Sequence, residues 1–167
     1  MLDLKILAAS EGKNLELSTR LASIATELGF NVNVINLVEL DLPLYHSREE
    51  SGGVPTKVIE LANELISASA YIIVAPEYNG LIPPVLNNSI AWISRSSDNW
   101  REAFNGKVCA IATHSGGGGA HALTAMRQQL SYIGSIVLGR QLLTNFNKPL
   151  NEESAVDILN TIKRLVS

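Results

Sequence analysis

Tyr71-Ile72-Ile73-Val74-Ala75-Pro76-Glu77-Tyr78-Asn79-Gly80 is the stretch on which the fold turns. Its first five residues are apolar without interruption and rich in β-branched side chains, and a proline stops them. A strand with no polar face must be covered on both sides, which is the condition of a central strand in a parallel sheet. The loop after this strand, Pro76 to Pro84, is stiff, because Pro76, Pro83 and Pro84 each fix φ and Asn79-Gly80 is a turn dipeptide.

The same pattern recurs on either side. Lys5-Ile6-Leu7-Ala8-Ala9 reads as a buried first strand ending in the polar turn Ser10-Glu11-Gly12-Lys13-Asn14. Leu17, Leu21, Ile24, Ala25 and Leu28 then mark one face of a helix over about residues 15–28, with Gly29 at its end. Val32, Val34 and Ile35 supply a second strand. A long connection from Leu37 to Pro55 comes next, of a length that is commonly functional or mobile. Pro55 opens a helix striped by Val58, Leu61, Ala62 and Leu65. Beyond the central strand come a helix from Val85 to Ser94 and a strand from Val108 to Thr113. The loop His114 to Gly119 leads to a helix bearing Leu123, Met126, Leu130 and Ile133. A fifth strand is expected near Ile136-Val137-Leu138, and a last helix over Glu152 to Val166.

Five strands alternating with five helices predict one α/β domain over 1–167, a doubly wound five-stranded parallel sheet in the order 2-1-3-4-5 with helices on both faces. Ligands of such sheets bind beyond the carboxyl ends of the strands near the reversal of strand order. The loops to read are therefore Ser10 to Asn14, Pro76 to Pro84 and His114 to Gly119.

Composition narrows the classes. With 46 % hydrophobic and 17 % charged residues the 167-residue chain is not disordered. No apolar run approaches the roughly 18 residues of a membrane span. A net charge of -3 without a basic stripe argues against nucleic acid. The start of the chain does not resemble a secretory signal, and the single Cys109 lies in an apolar strand. A soluble, unexported chain of a reducing compartment, the cytoplasm, is expected. His46, His114 and His121 lack helical metal spacing and no cysteine pair exists, so no metal site is expected.

Each loop has two readings. Between a strand and a helix N-terminus, Ser10, Gly12, Lys13 and Asn14 suit a phosphate, or form an ordinary turn capped by Asn14. No dinucleotide or Walker fingerprint is present. The proline loop either holds backbone groups and Asn79 against a flat heterocycle or merely starts the next helix. Four consecutive glycines, Gly116 to Gly119, lose much backbone entropy on ordering, which makes sense where N–H groups approach a ligand closely. His114 and Ser115 beside them are either solvated or functional.

Pro76-Glu77-Tyr78-Asn79-Gly80 with Pro83-Pro84-Val85-Leu86-Asn87-Asn88, together with Ser115-Gly116-Gly117-Gly118-Gly119, resembles the NADPH-dependent FMN reductase family of flavodoxin-like proteins. The resemblance implies FMN as cofactor and NADPH or NADH as reductant. It places Ser10, Gly12, Lys13 and Asn14 at the FMN phosphate, Pro76, Glu77, Tyr78, Asn79 and Gly80 at the flavin, and Ser115, Gly116, Gly117 and Gly118 around the ring. It further implies ping-pong hydride transfer to a quinone, azo, metal-oxyanion or flavin acceptor, with no general acid or base, and a homodimer or homotetramer. Two rivals share the fold: an FMN-binding electron carrier that NAD(P)H does not reduce, and a cofactor-free interaction module.

Two positions depart from the family pattern. Gly12 stands where the family's first loop has an arginine, and Lys13 beside it offers a point charge without the bidentate fork. One charge pair at about 4 Å is worth roughly 4 kcal/mol at an effective dielectric of about 20, before desolvation. Ala91, before Trp92, replaces a frequent aspartate. The long connection, with Tyr45, His46 and Arg48, is expected to border the acceptor pocket.

Overall fold

The computed structural model describes residues 1–167. Its elements in chain order are strand β1 (Asp3–Ala8), helix α1 (Lys13–Glu27), strand β2 (Asn31–Asn36), the one-turn helix α2 (Ser47–Glu50), helix α3 (Thr56–Ser67) and strand β3 (Ala70–Val74). Helix α4 (Pro84–Ile93), strand β4 (Val108–His114), helix α5 (Ala120–Tyr132), strands β5 (Ile136–Val137) and β6 (Leu142–Thr144) and helix α6 (Glu152–Val166) complete the chain. The sheet is parallel in the order β2-β1-β3-β4-β5.

Alternate residues of the inner strands feed two separate cores, which is why those strands are apolar throughout. Leu4, Ile6, Ile72, Val74, Ala110 and Ala112 pack under α1 and α6 with Leu21, Ile24, Ile158 and Ile162. Leu7, Tyr71, Ile73, Cys109 and Ile111 pack under α3, α4 and α5 with Leu61, Leu65, Leu86, Leu123 and Met126. Cys109 is fully buried, and that burial pushes its thiol well above the ordinary range.

The fifth sheet position differs from the expected single strand. β5 pairs with Val108-Cys109 at the start of β4, and β6 pairs with Ala112 to His114 at its end. The four residues Leu138 to Gln141, Gly139 among them, separate the two pieces. A three-residue strand carries too short a pattern to stand out by periodicity.

The long connection is pinned rather than loose. The Pro43 carbonyl accepts from Asn88 Nδ2 at 3.0 Å and from Trp92 Nε1 at 2.7 Å, while Asn88 Oδ1 accepts from the Tyr45 N–H at 2.8 Å. Tyr45 sets its ring edge-on to Trp92 with centroids 5.2 Å apart, and its hydroxyl donates to Glu50, which also pairs with Arg95. Those two donors, the tyrosine first, hold the Glu50 carboxyl below its ordinary pKa.

Register sets the functional edge. Ala8 stands opposite Val74, and Val74 opposite Ala112. β1 and β3 therefore end at one level, β4 runs two residues further beside β6, and the loops that begin at Ser10, Pro76 and Ser115 leave the same edge of the sheet.

Candidate cofactor site at the carboxyl edge of the sheet

Gly12 closes the first loop with φ +67° and ψ −130°, a conformation that side chains avoid, although nothing lies within 4 Å of where a Cβ would be. Backbone shape, not crowding, accounts for glycine at this position. Gly12 also occupies the cap of α1, with no side chain bonded there. The N–H groups of Lys13, Asn14 and Leu15 consequently donate to no protein acceptor. Ser10 is half-buried, and its hydroxyl donates to the Glu11 carbonyl at 3.2 Å.

Asn14 does not cap α1. Its buried amide spans to the end of β4, with Nδ2 donating to the His114 carbonyl at 3.0 Å and Oδ1 accepting from the His114 N–H at 2.8 Å. That two-way bond ties the first loop to the third across a hundred residues of sequence. Lys13 points into solvent and pairs with Glu16 at 2.7 Å, one turn on. An exposed pair of this kind is worth only about 0–1 kcal/mol, well below the interior Coulomb figure.

The second loop is a tight hairpin. Tyr78 and Leu81 exchange backbone hydrogen bonds of 2.9 and 3.0 Å, and Asn79 and Gly80 between them have φ of 52° and 78°. Two consecutive left-handed residues reading Asn-Gly are the signature of a type I′ turn. Tyr78 is half exposed at 50 %. Between this hairpin and the first loop lies a cleft of about 430 Å³ whose walls include Ser10, Glu11, Tyr78, Pro83 and Pro84. A larger hollow of about 530 Å³ sits between α4 and α5, walled by Leu81, Asn87, Gln129 and Tyr132; it includes no residue of the first or third loop.

Glu77 does not extend into that cleft. One of its carboxylate oxygens, Oε2, accepts from the N–H groups of His121 and Ala122 at 3.0 and 3.2 Å, in the first turn of α5.

In the third loop only one of four glycines is demanded by the fold. Gly119 has φ +74°, and a Cβ there would lie 2.9 Å from Thr113 Cγ2. Gly116, Gly117 and Gly118 are exposed, none has a left-handed φ, and their nearest would-be Cβ contact is 3.6 Å. Their N–H groups, with those of Gly119 and Ala120, have no acceptor in the protein, whereas Ser115 gives its N–H to the Thr144 carbonyl at 3.2 Å. Ser115 itself is buried.

His114 is the last residue of β4 rather than a solvated loop residue. The Thr144 hydroxyl donates to the Thr113 carbonyl at 3.0 Å, so toward His114 Nδ1, also at 3.0 Å, its oxygen accepts. Nδ1 is therefore the donor of that bond, and Nε2, buried, has no partner in the protein. Phe146 packs edge-on against the ring at 5.3 Å. None of the bonds of Asn14, Glu77 or His114 carries a sequence signal, because each joins segments far apart in the chain.

Three helices therefore present N-termini at this edge, and they are not equivalent. α4 begins at Pro83-Pro84, two residues without N–H groups. α5 already holds a carboxylate. α1 keeps three successive open donors, Lys13 to Leu15, with no side chain at its cap, the arrangement that favours an anionic group. A helix terminus with open donors, a rigid hairpin and a run of glycines that the fold does not require thus lie together at the carboxyl edge of a doubly wound parallel sheet, where sheets of this class bind their ligands.

Comparison with known proteins gives that class a family. Residues 4–148 match the family described as NADPH-dependent FMN reductase, and the chain belongs to it. A quinone reductase of Escherichia coli K12 is 36 % identical over 103 residues, 60 % of this chain and 53 % of that protein. An uncharacterized protein of Mycoplasma pneumoniae is 27 % identical over 127 residues, 74 % of this chain and 76 % of that protein. This chain thus spans about half the length of the quinone reductase it resembles. Among solved structures, the flavoenzyme NAD(P)H:(acceptor) oxidoreductase FerB of Paracoccus denitrificans superposes with a TM-score of 0.78 at 20 % identity, covering 99 % of this chain and 96 % of its own, a likeness of fold. No helix is long and apolar enough to cross a membrane, and no group of three or more metal-binding side chains is present.

Proposed function

We propose that residues 1–167 form one flavin-binding domain that carries FMN and passes electrons from NAD(P)H to a small acceptor of the quinone, azo, metal-oxyanion or flavin class. The observation that carries this reading is the inequality of the three helix N-termini: α4 begins with two prolines, α5 holds the Glu77 carboxylate, and α1 has three successive N–H groups without an acceptor. In this reading the N–H groups of Lys13, Asn14 and Leu15, with the Ser10 hydroxyl, hold the phosphate, and Lys13 adds a screened positive field. Gly12 supplies the turn that exposes those donors.

Bound FMN supplies two-electron redox chemistry, and the chain supplies position and electrostatics. Pro76, Tyr78, Asn79 and Gly80 wall one edge of the flat group through the rigid hairpin. The free N–H groups of Gly116, Gly117 and Gly118 face negative charge as preorganised donors, which costs no reorganisation when charge develops. Ser115 anchors that loop to β6. No side chain at the edge is assigned to move a proton. Exposed Leu81 and Tyr132 beside α4 support a homo-oligomer, and the buried Cys109 thiol suits a reducing cytoplasm.

Titration of the cofactor-free chain with FMN, followed by anaerobic NADPH, tests the reading. Uptake at micromolar levels with bleaching of the yellow colour is the expected result. Uptake without bleaching by NADPH or NADH makes the chain an electron carrier, and no uptake makes it an interaction module.

A further inference from the structure

The bonds of Glu77 assign it a different task from that of its loop neighbours. The cap of α5 is Gly119, which has no side chain, and the first turn of the helix contains no acidic residue. The only side chain that satisfies its leading N–H groups comes from 44 residues earlier, the Glu77 carboxylate at His121 and Ala122. The other oxygen, Oε1, lies 3.9 Å from where a Gly117 Cβ would stand, beside the glycine run. Glycines 116–118 have no side chains with which to fix themselves.

We propose that Glu77 is a positioning residue: its carboxylate braces the start of α5, and so the glycine loop, against the β3 loop. It does not itself contact the flavin. A charge-assisted bond to two backbone donors at a helix N-terminus is strong enough for such a brace. Ordering the loop before a ligand arrives removes an entropic cost from binding.

Two readouts test the brace, and only the second rests on the flavin reading. Amide hydrogen exchange on the full cofactor-free chain should show His121 and Ala122 protected. Glu77→Ala should lower that protection about tenfold, while Glu77→Gln, whose side-chain carbonyl still accepts, retains most of it. FMN titration should then show affinity falling about tenfold in Glu77→Ala and no more than roughly threefold in Glu77→Gln. Unprotected amides in the unsubstituted chain, or protection unchanged in Glu77→Ala, would overturn the proposal. So would a Glu77→Gln chain that keeps its protection yet binds FMN as weakly as Glu77→Ala, since the charge would then act on the ligand itself. If the unsubstituted chain takes up no FMN, the proposed function fails and the exchange measurement alone decides the brace. Glu77→Gln keeps the test open if Glu77→Ala does not fold.

Discussion

The loops after β1 and β4 both carry glycine beside a helix, and they use it for opposite reasons. Gly12 has empty space around its missing side chain and a backbone conformation that only glycine adopts comfortably. Gly116 to Gly118 have neither a left-handed φ nor a crowded neighbour, so the fold by itself gives no reason for them. Gly119 alone in that run has both. The difference separates glycine required by the chain's own geometry from glycine left over for something that approaches from outside.

The largest expected effect is at Gly119. Gly119→Ala combines a left-handed penalty of roughly 1–2 kcal/mol with a steric overlap of roughly 1–3 kcal/mol. Urea denaturation of the cofactor-free chain should register about 3 kcal/mol, and a loss below about 1 kcal/mol would erase the contrast within the run. Gly117→Val should do the reverse, lowering FMN affinity on the order of 10-fold or more, about 1.4 kcal/mol per tenfold. Its cofactor-free stability should stay within about 0.5 kcal/mol. Equal losses in both measurements would make Gly117 structural.

Gly12→Ala should cost about 1–2 kcal/mol in the cofactor-free chain through backbone strain alone. A neutral result would mean that the first loop does not require the conformation that favours glycine there. Lys13→Ala sharpens the comparison from the charge side. Exposure and the bond to Glu16 limit its contribution, so FMN affinity should fall only a few-fold, and the difference should vanish at high salt. An effect that persists across ionic strength would count against screened attraction.

The pinned connection serves as the control. Its carboxyl at Glu50 has a lowered pKa, so the anchor contributes stability above the ordinary carboxylate pKa and loses it as pH falls through the depressed one. Acidification below about pH 4.5 should therefore lower the protection of the Tyr45 amide, taken relative to its intrinsic exchange rate at each pH, in the natural chain, with a smaller response in Glu50→Gln. A response of the same size in both chains would place the titrating group elsewhere.

Periodicity and punctuation made the scaffold legible in advance. The unbroken apolar strands Ile72 to Val74 and Cys109 to Ala112, the helical stripes and the position of Pro84 are local features, and they fixed the sheet order and the edge at which to look for a site. Asn79-Gly80 disclosed its turn for the same reason, since two residues suffice to specify a type I′ hairpin. The split of the fifth strand was not legible, because Leu142 to Thr144 is too short for a period to register.

Sequence alone determined which segments are buried, which loops meet at the carboxyl edge and which family they resemble, because burial period and turn chemistry are written within a few adjacent residues. Only the tertiary structure decided what the polar residues of those loops do. Asn14 spends its amide on His114, Glu77 fills the start of α5, and Lys13 faces solvent, since a hydrogen bond across 44 or 100 residues depends on strand register, which no local pattern encodes.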